Sequence, residues 1–298
     1  MMSLTYLQAI VIGLLQGVTE LFPISSLGHS VLVPAWLGGS WKSLVTEQSS
    51  AESPYLAFIV GLHVATALAL LVLFRRDWYA IVRGFVSSLR RRSMAEPYER
   101  LSWLIVIATV PVGALGILLE HPLRVLFAKP LAAACFLVLN GLILLLGERM
   151  RRKVARPYEG PGAEPGAEVD VDIATQIRPL DATVIGFAQA GALLAGISRS
   201  GISMVGGLFR GLDHEQAVRF AFLLATPVIL AAGVVKIPDL FGPLGNGIRG
   251  EVLAGSIAAF AAAYLAASWL VRFFKTGTLI PFAVYSLVFG GISIIHFA

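Results

Sequence analysis

Two short stretches of this sequence set acid, imidazole, guanidinium and hydroxyl groups in otherwise apolar surroundings. The first, Gln16-Gly-Val-Thr-Glu-Leu-Phe-Pro-Ile-Ser-Ser-Leu-Gly-His-Ser30, offers Gln16, Glu20, Ser25, Ser26 and His29. The second, Gln189-Ala-Gly-Ala-Leu-Leu-Ala-Gly-Ile-Ser-Arg-Ser-Gly-Ile-Ser203, offers Ser198, Arg199 and Ser200 around Gly201. Arg199 presents a planar fork that matches phosphate oxygens. It lies at a break rich in Gly and Ser, where a helix N-terminus leaves backbone N–H groups for an anion. Ser26 and His29 can serve as nucleophile and base, or His29 as a general acid–base group. Glu20 can orient His29 or hold a divalent cation, which prefers carboxylate and phosphate oxygens. Together the set suits phosphoryl transfer, where positioning and charge stabilisation do most of the work. Other polar residues read more plainly. Ser30 and Ser203 are helix-packing residues, Gln16 and Gln189 can bridge backbone breaks, His63 is core, and His121, His214 and His296 are interfacial.

The surroundings of these stretches are those of a membrane protein. Of 298 residues, 57% are hydrophobic and 14% charged, with mean hydropathy +0.80. A soluble chain carries about 25% charged residues, and a soluble fold this apolar would expose large greasy patches. Six runs reach or approach the ~20 residues that cross ~30 Å of hydrocarbon, at Tyr55–Phe74, Leu101–Glu120, Leu131–Gly147, Ala217–Lys236, Val252–Val271 and Leu279–Phe297. Leu4–Trp36 and Ala182–Leu212 are apolar too, but the polar stretches interrupt them. Each reads as a helix, a break and a second short helix, which is tolerated at membrane depth only where it lines a cavity or is buried in protein. The N-terminus lacks signal-peptide features, so the first apolar segment is expected to be retained. Cys135 is the single cysteine, which leaves no intramolecular disulfide and no cysteine metal cluster.

The net charge of +5 raises nucleic acid as a partner, but most basic residues sit in two loops, Arg75–Arg100 and Glu148–Arg178. Topology explains them better, and nucleic acid is not expected. By the positive-inside rule both loops are cytoplasmic. Loops near Ser40–Ser53, His121–Lys129 and Pro238–Arg249 then face outward, as do both termini. Pro157–Asp172, rich in Gly, Pro and Glu, reads as a flexible linker. The two polar stretches align without a gap at an offset of 173 residues, with Gln, Leu, Ile, Ser, Gly and Ser coinciding. Each is followed by three predicted spans, so the halves, 1–147 and 181–298 about a 148–180 linker, are expected to form an inverted repeat. The fold class is therefore all-α: a polytopic membrane protein of six spanning helices and two re-entrant broken-helix segments.

The stretch from Gln16 to His29 resembles the glutamate-rich signature of the undecaprenyl-diphosphate phosphatase family, also called the bacitracin-resistance family. Ala195-Gly-Ile-Ser-Arg-Ser-Gly201 resembles its second signature, Pro-Gly-x-Ser-Arg-Ser-Gly, and Phe74-Arg-Arg-Asp-Trp78 looks like a third feature. The likeness covers nearly the whole chain. It implies a multi-pass enzyme of the bacterial plasma membrane, open to the outer face. Such an enzyme takes a polyprenyl diphosphate lipid and removes the terminal phosphate of undecaprenyl diphosphate. That recycles the carrier lipid for peptidoglycan synthesis and gives bacitracin resistance. It also implies a divalent cation, Mg or Ca, with Glu20 as the essential carboxylate and metal ligand. Ser26 and His29 would act in phosphoryl transfer and Arg199 would bind the diphosphate, with Gln16, Ser25, Ser198, Ser200 and Gly201 around the substrate. A homodimer is compatible with this reading. The chain departs from the family at Gln16, where many members carry Glu, and at Leu27, Ala195 and Ser203, where Thr, Pro and Thr are usual. Gln16 brings no charge to a metal site. The rival class is a polyprenyl-phosphate flippase, because inverted repeats with broken midplane helices also mark transporters.

Overall fold

The computed structural model describes residues 4–47, 54–127, 129–154, 173–242 and 245–298, and among them there are helices and no strand. The chain runs α1 (Tyr6–Leu21), α2 (Ser26–Leu37), α3 (Gly39–Glu47), α4 (Pro54–Leu73), α5 (Arg75–Arg91), α6 (Pro97–Phe127) and α7 (Pro130–Val154). It continues through α8 (Pro179–Gln189), a 3-10 turn at Ala190–Leu193, α9 (Arg199–Phe209), α10 (His214–Phe241), α11 (Arg249–Phe273) and α12 (Ile280–Phe297). Proline opens α4, α6, α7 and α8, where its fixed φ suits the first turn and its missing N–H is not needed. The predicted linker Pro157–Asp172 lies outside the described residues.

Five helices, within α6, α7, α10, α11 and α12, are long and apolar enough to cross a membrane. The sixth predicted span is α4, which bends by 87° into α5. The chain is thus a multi-pass α-helical membrane protein. The stretch 75–100, expected to be a loop, is mostly the α5 helix. Its apolar residues recur every three or four positions between the arginines and pack Ile81, Gly84 and Ser88 against α6. Part of 40–53 is likewise helical as α3, and α6 runs on to Phe127 through a segment expected to be an outward loop.

The 173-residue offset seen in the sequence also relates the helix starts: Tyr6 to Pro179, and Ser26 to Arg199. Contacts follow the same relation. α1 packs on α11 as α8 packs on α6, while α4 packs on α10 and α7 on α12. This is the pattern two repeats make across a two-fold axis. Small residues carry it. A Cβ added to Gly13 would strike the carbonyl oxygen of Gly255, and one added to its repeat-mate Gly186 would strike that of Ala108. Close backbone approach of this kind drives helix association where the solvent is itself apolar. Gly13→Val is therefore expected to destabilise the α1–α11 pair by about 1–3 kcal/mol. Thermal melting of the detergent-purified variant would check it, and an unchanged melting temperature would contradict the contact.

His214 opens α10, at a helix end as expected, and is buried within the protein. Its Nε2 lies 2.8 Å from Glu148 Oε2, which also accepts the N–H of Leu279 at 3.2 Å. Ionisable groups at such depth are paired, and this pair ties α7, α10 and α12.

Candidate active site

α1 stops at Leu21 because Phe22 is extended and Pro23 cannot supply the next helical N–H. The chain then turns through Ser25, whose φ of +69° is unusual for a residue with a Cβ. The Ser25 hydroxyl accepts the N–H of Gly28 at 3.2 Å, capping α2, and the N–H of Gly196 in the second break at 3.1 Å. The repeat-mate Ser198 caps α9 in the same way, accepting the N–H of Gly201 at 3.1 Å. Both half-helices thus start at the centre of the molecule, where their first-turn N–H groups have no intrahelical acceptor.

The two breaks touch through backbone. A Cβ on Gly28 would lie 2.9 Å from the Gly196 Cα, and Gly196 itself holds φ +115°, a conformation glycine alone adopts readily. Asn140, fully buried on α7, ties the breaks together. Its amide donates to the Pro23 carbonyl at 2.9 Å, and its oxygen accepts the Ser198 N–H at 2.9 Å. Ser200 donates to the Phe22 carbonyl at 3.4 Å and shares a 3.0 Å contact with the Ser198 hydroxyl. A Cβ added to Gly201 would lie 3.2 Å from the Leu144 side chain and 3.3 Å from that of Pro23, closer than ordinary packing allows.

At this junction the Glu20 carboxylate gathers four donors. Oε1 takes the Arg199 guanidinium from the other half. Oε2 accepts the Ser26 hydroxyl, the Gln16 amide at 3.1 Å and His63 Nε2 at 3.2 Å. Glu20 and Gln16 are buried, while Arg199 keeps a small part of its side chain exposed. His63 Nδ1 faces the Ile59 carbonyl at 2.8 Å. The cluster thus sets one carboxylate against a guanidinium and an imidazole, and the guanidinium N–H groups not spent on Glu20 suit an anionic ligand. Two of its buried atoms have no partner among the described residues: Arg199 Nε, a donor, and Gln16 Oε1, an acceptor.

The predicted residues divide into two groups. Gln16, Glu20, Ser26 and Arg199 meet in the cluster. Ser25, Ser198 and Ser200 use their hydroxyls to staple the breaks. His29 turns away from Ser26: Nδ1 donates to the Ser25 carbonyl at 2.7 Å, and Nε2 accepts the Tyr285 hydroxyl at 2.8 Å. Its ring stacks on Tyr285 and Phe289. The imidazole that Glu20 holds is His63, which the sequence places in the core, and not His29. Gln189, repeat-mate of Gln16, is buried with neither amide atom partnered among the described residues, and the Ser203 hydroxyl is likewise unpartnered. His63, Asn140 and Tyr285 are the site neighbours that the sequence reading missed. A single histidine or asparagine inside an apolar span was the available signal for the first two, since such groups are expensive in lipid.

Residues 9–292 match the family model described as "Bacitracin resistance protein BacA". A protein of Mycolicibacterium paratuberculosis named "Undecaprenyl-diphosphatase" is 58% identical over 300 residues, covering 99% of this chain and 98% of its own. One of Frankia alni, "Undecaprenyl-diphosphatase 2", is 54% identical over 100% of this chain and 99% of its own. A more distant one of Acidiphilium cryptum, "Undecaprenyl-diphosphatase", is 41% identical over 98% of each.

Proposed function

The chain belongs to the bacitracin resistance protein BacA family, and on that premise we propose that it is an integral membrane phosphatase hydrolysing undecaprenyl diphosphate to undecaprenyl phosphate and phosphate. The observation that carries the reading is the Glu20 junction, where Ser26 of one break and Arg199 of the other bond one carboxylate. A transporter needs a cation for the phosphate but no hydroxyl set on a base.

The mechanism follows from the donors. Arg199 offers its unpartnered Nε and remaining N–H groups to the diphosphate, and the first-turn N–H groups of α2 and α9 that the Ser25 and Ser198 caps leave over add to the clamp. Ser26 is hydrogen-bonded to a carboxylate, the arrangement that activates a hydroxyl nucleophile. Its Oγ forms a bond to the terminal phosphorus as its proton passes to Glu20. The bond from phosphorus to the bridging oxygen breaks, and undecaprenyl phosphate leaves. Water then attacks the phosphoserine and its protons leave with the inorganic phosphate, while the proton held by Glu20 returns to the Ser26 oxygen and restores both the hydroxyl and the carboxylate. Both nitrogens of His29 are engaged elsewhere, which favours Ser26 over His29 as nucleophile. His63 bonds Glu20 through its Nε2 and steadies the carboxylate's charge. Trapping phosphate on Ser26 would support this step; full activity of Ser26→Ala would exclude it.

A divalent cation, Mg or Ca, would have to compete with the donors already on Glu20. Glu20 and the unpartnered Gln16 Oε1 are two oxygen donors, and Mg²⁺ is commonly held by one or two carboxylates plus substrate phosphates. No group of three or more His, Cys, Asp or Glu is present among the described residues, so substrate oxygens would complete the shell. When bound, the cation neutralises charge developing on the phosphoryl oxygens. The positive-inside rule puts the arginine-rich segment 75–100 on the cytoplasmic side, and membership of the family supports a site reached from the outer face of a bacterial plasma membrane. There it recycles the carrier lipid for peptidoglycan synthesis and confers bacitracin resistance.

The deciding experiment is phosphate release from undecaprenyl diphosphate by the purified protein in detergent, with and without Mg²⁺. Release that depends on the metal is expected. No release from folded protein would favour lipid transport by way of the same junction. Within that assay His63→Phe is expected to lower kcat by about 10- to 100-fold, with KM nearly unchanged, because His63 acts through its contact with Glu20. An unchanged kcat would return His63 to a packing role.

A further inference from the structure

The α5 helix belongs to neither repeat: α4 and α10 are counterparts, yet α10 leads to α11 without a comparable helix. It is built firmly. At the corner, Arg219 of α10 donates to Asp77 at 3.1 Å and lies over the Phe74 ring at 5.3 Å, so Phe74 and Asp77 of the Phe74-Arg-Arg-Asp-Trp78 stretch share one partner. Along its length, Gly84 lies so close to Tyr98 that an added Cβ would sit 2.7 Å from that residue's backbone. The Trp103 indole N–H donates to Ser88 at 2.9 Å. One face of α5 is therefore fixed to α6, roughly at right angles to the α4 span.

The opposite face has no protein partner among the described residues. Tyr79, Val82, Val86 and Leu89 form a single stripe at spacings of three and four residues, and all are exposed, Tyr79 at 70%. Beside that stripe Arg76, Arg83 and Arg90 recur every seven residues, giving a second row, also exposed. None of the three forms an ion pair with a carboxylate among the described residues. An apolar stripe bordered by a cationic row, on a helix perpendicular to a span, is the pattern of a helix lying in the membrane interface. The stripe enters the acyl boundary and the arginine stems carry their heads to the phosphates. Guanidinium pairs with phosphate oxygens bidentately, and juxtamembrane arginines favour anionic lipid.

We propose that α5 is an in-plane helix that binds anionic phospholipid headgroups, seating their phosphodiester groups along Arg76, Arg83 and Arg90. This site is separate from the Glu20 junction, and its ligand is the bulk lipid of the membrane. Anionic lipid held there secures α5 and, through the Asp77–Arg219 corner, the end of the α4 helix that carries His63.

The test uses the full-length protein. Native mass spectrometry with added phosphatidylglycerol or phosphatidylcholine should show preferential retention of phosphatidylglycerol. In the Arg76→Gln/Arg83→Gln/Arg90→Gln variant that preference should fall by roughly tenfold or more. Phosphate release in detergent should stay unchanged, which also reports that the variant is folded. Equal retention of the two lipids by the wild type, or an unchanged preference in the variant, would overturn the proposal. A second measurement does not depend on the triple variant folding. A spin label at Val86→Cys, in a Cys135→Ala background and in phosphatidylglycerol nanodiscs, should be reached by oxygen more than by an aqueous nickel chelate. The reverse order would place the stripe in water and sink the idea.

Discussion

Glu20→Gln should reduce kcat for phosphate release by at least ~10³-fold, the scale seen when charge stabilisation aimed at a transition state is lost. The amide has nearly the same volume, so the α1–α2 break should keep its shape. What disappears is the acceptor for the Ser26 proton and the negative charge that Arg199 and His63 share. The binding term should move differently. Arg199, no longer held by a carboxylate, is free to engage the diphosphate, so KM should be unchanged or lower. A large fall in kcat with no rise in KM would identify Glu20 as a group acting in the chemical step. A rise in KM with kcat intact would make it a binding residue and leave Ser26 without its base.

Arg199→Ala should have the opposite signature. It removes the only cation of the second break from the cluster, so KM should rise and kcat/KM should fall by roughly 10³-fold or more. Arg199→Lys should restore little, because a point charge cannot reproduce a fork that spans Glu20 and a phosphate at once. Removing the arginine also leaves Glu20 buried without its strongest partner, which breaks a buried pair and destabilises by about 3–5 kcal/mol. The double variant Glu20→Gln/Arg199→Ala separates the two consequences. Its melting temperature should recover toward wild type while its activity stays absent. If Arg199→Ala hydrolysed the lipid at a near wild-type rate, the clamp assignment would be wrong.

The sequence made the skeleton of this centre readable because charge in apolar surroundings is conspicuous. Glu20 and Arg199 stand out in segments with few other ionisable groups, and the aligned Ser25 and Ser198 mark where both helices restart. The remaining features depend on rotation about a helix axis, which a string of letters does not fix in a uniformly apolar span. His63 sits on α4, where apolar residues surround it on every side, so no periodicity says that it faces Glu20. His29 follows Ser26 by three residues and would share its face, yet its ring turns to Tyr285 on α12, a partner 256 positions away. Asn140 reads as one amide in a span until Pro23 and Ser198 are seen on either side of it. The α5 helix was hidden for another reason. Its arginines signalled topology so strongly that the three- and four-residue spacing of Tyr79, Val82, Val86 and Leu89 was masked.

The repeat relation has a consequence for how such a centre can be assembled at all. Under the 173-residue offset Glu20 falls on Leu193 and Ser26 on Arg199. The frame is doubled, but its reactive groups are not. A hybrid built from two copies of the first half would oppose two carboxylates with nothing to hold the diphosphate. One built from two second halves would oppose two guanidinium groups with no hydroxyl on a base. The molecule is a heterodimer in a single polypeptide: its halves share a scaffold, and only their mismatch is active.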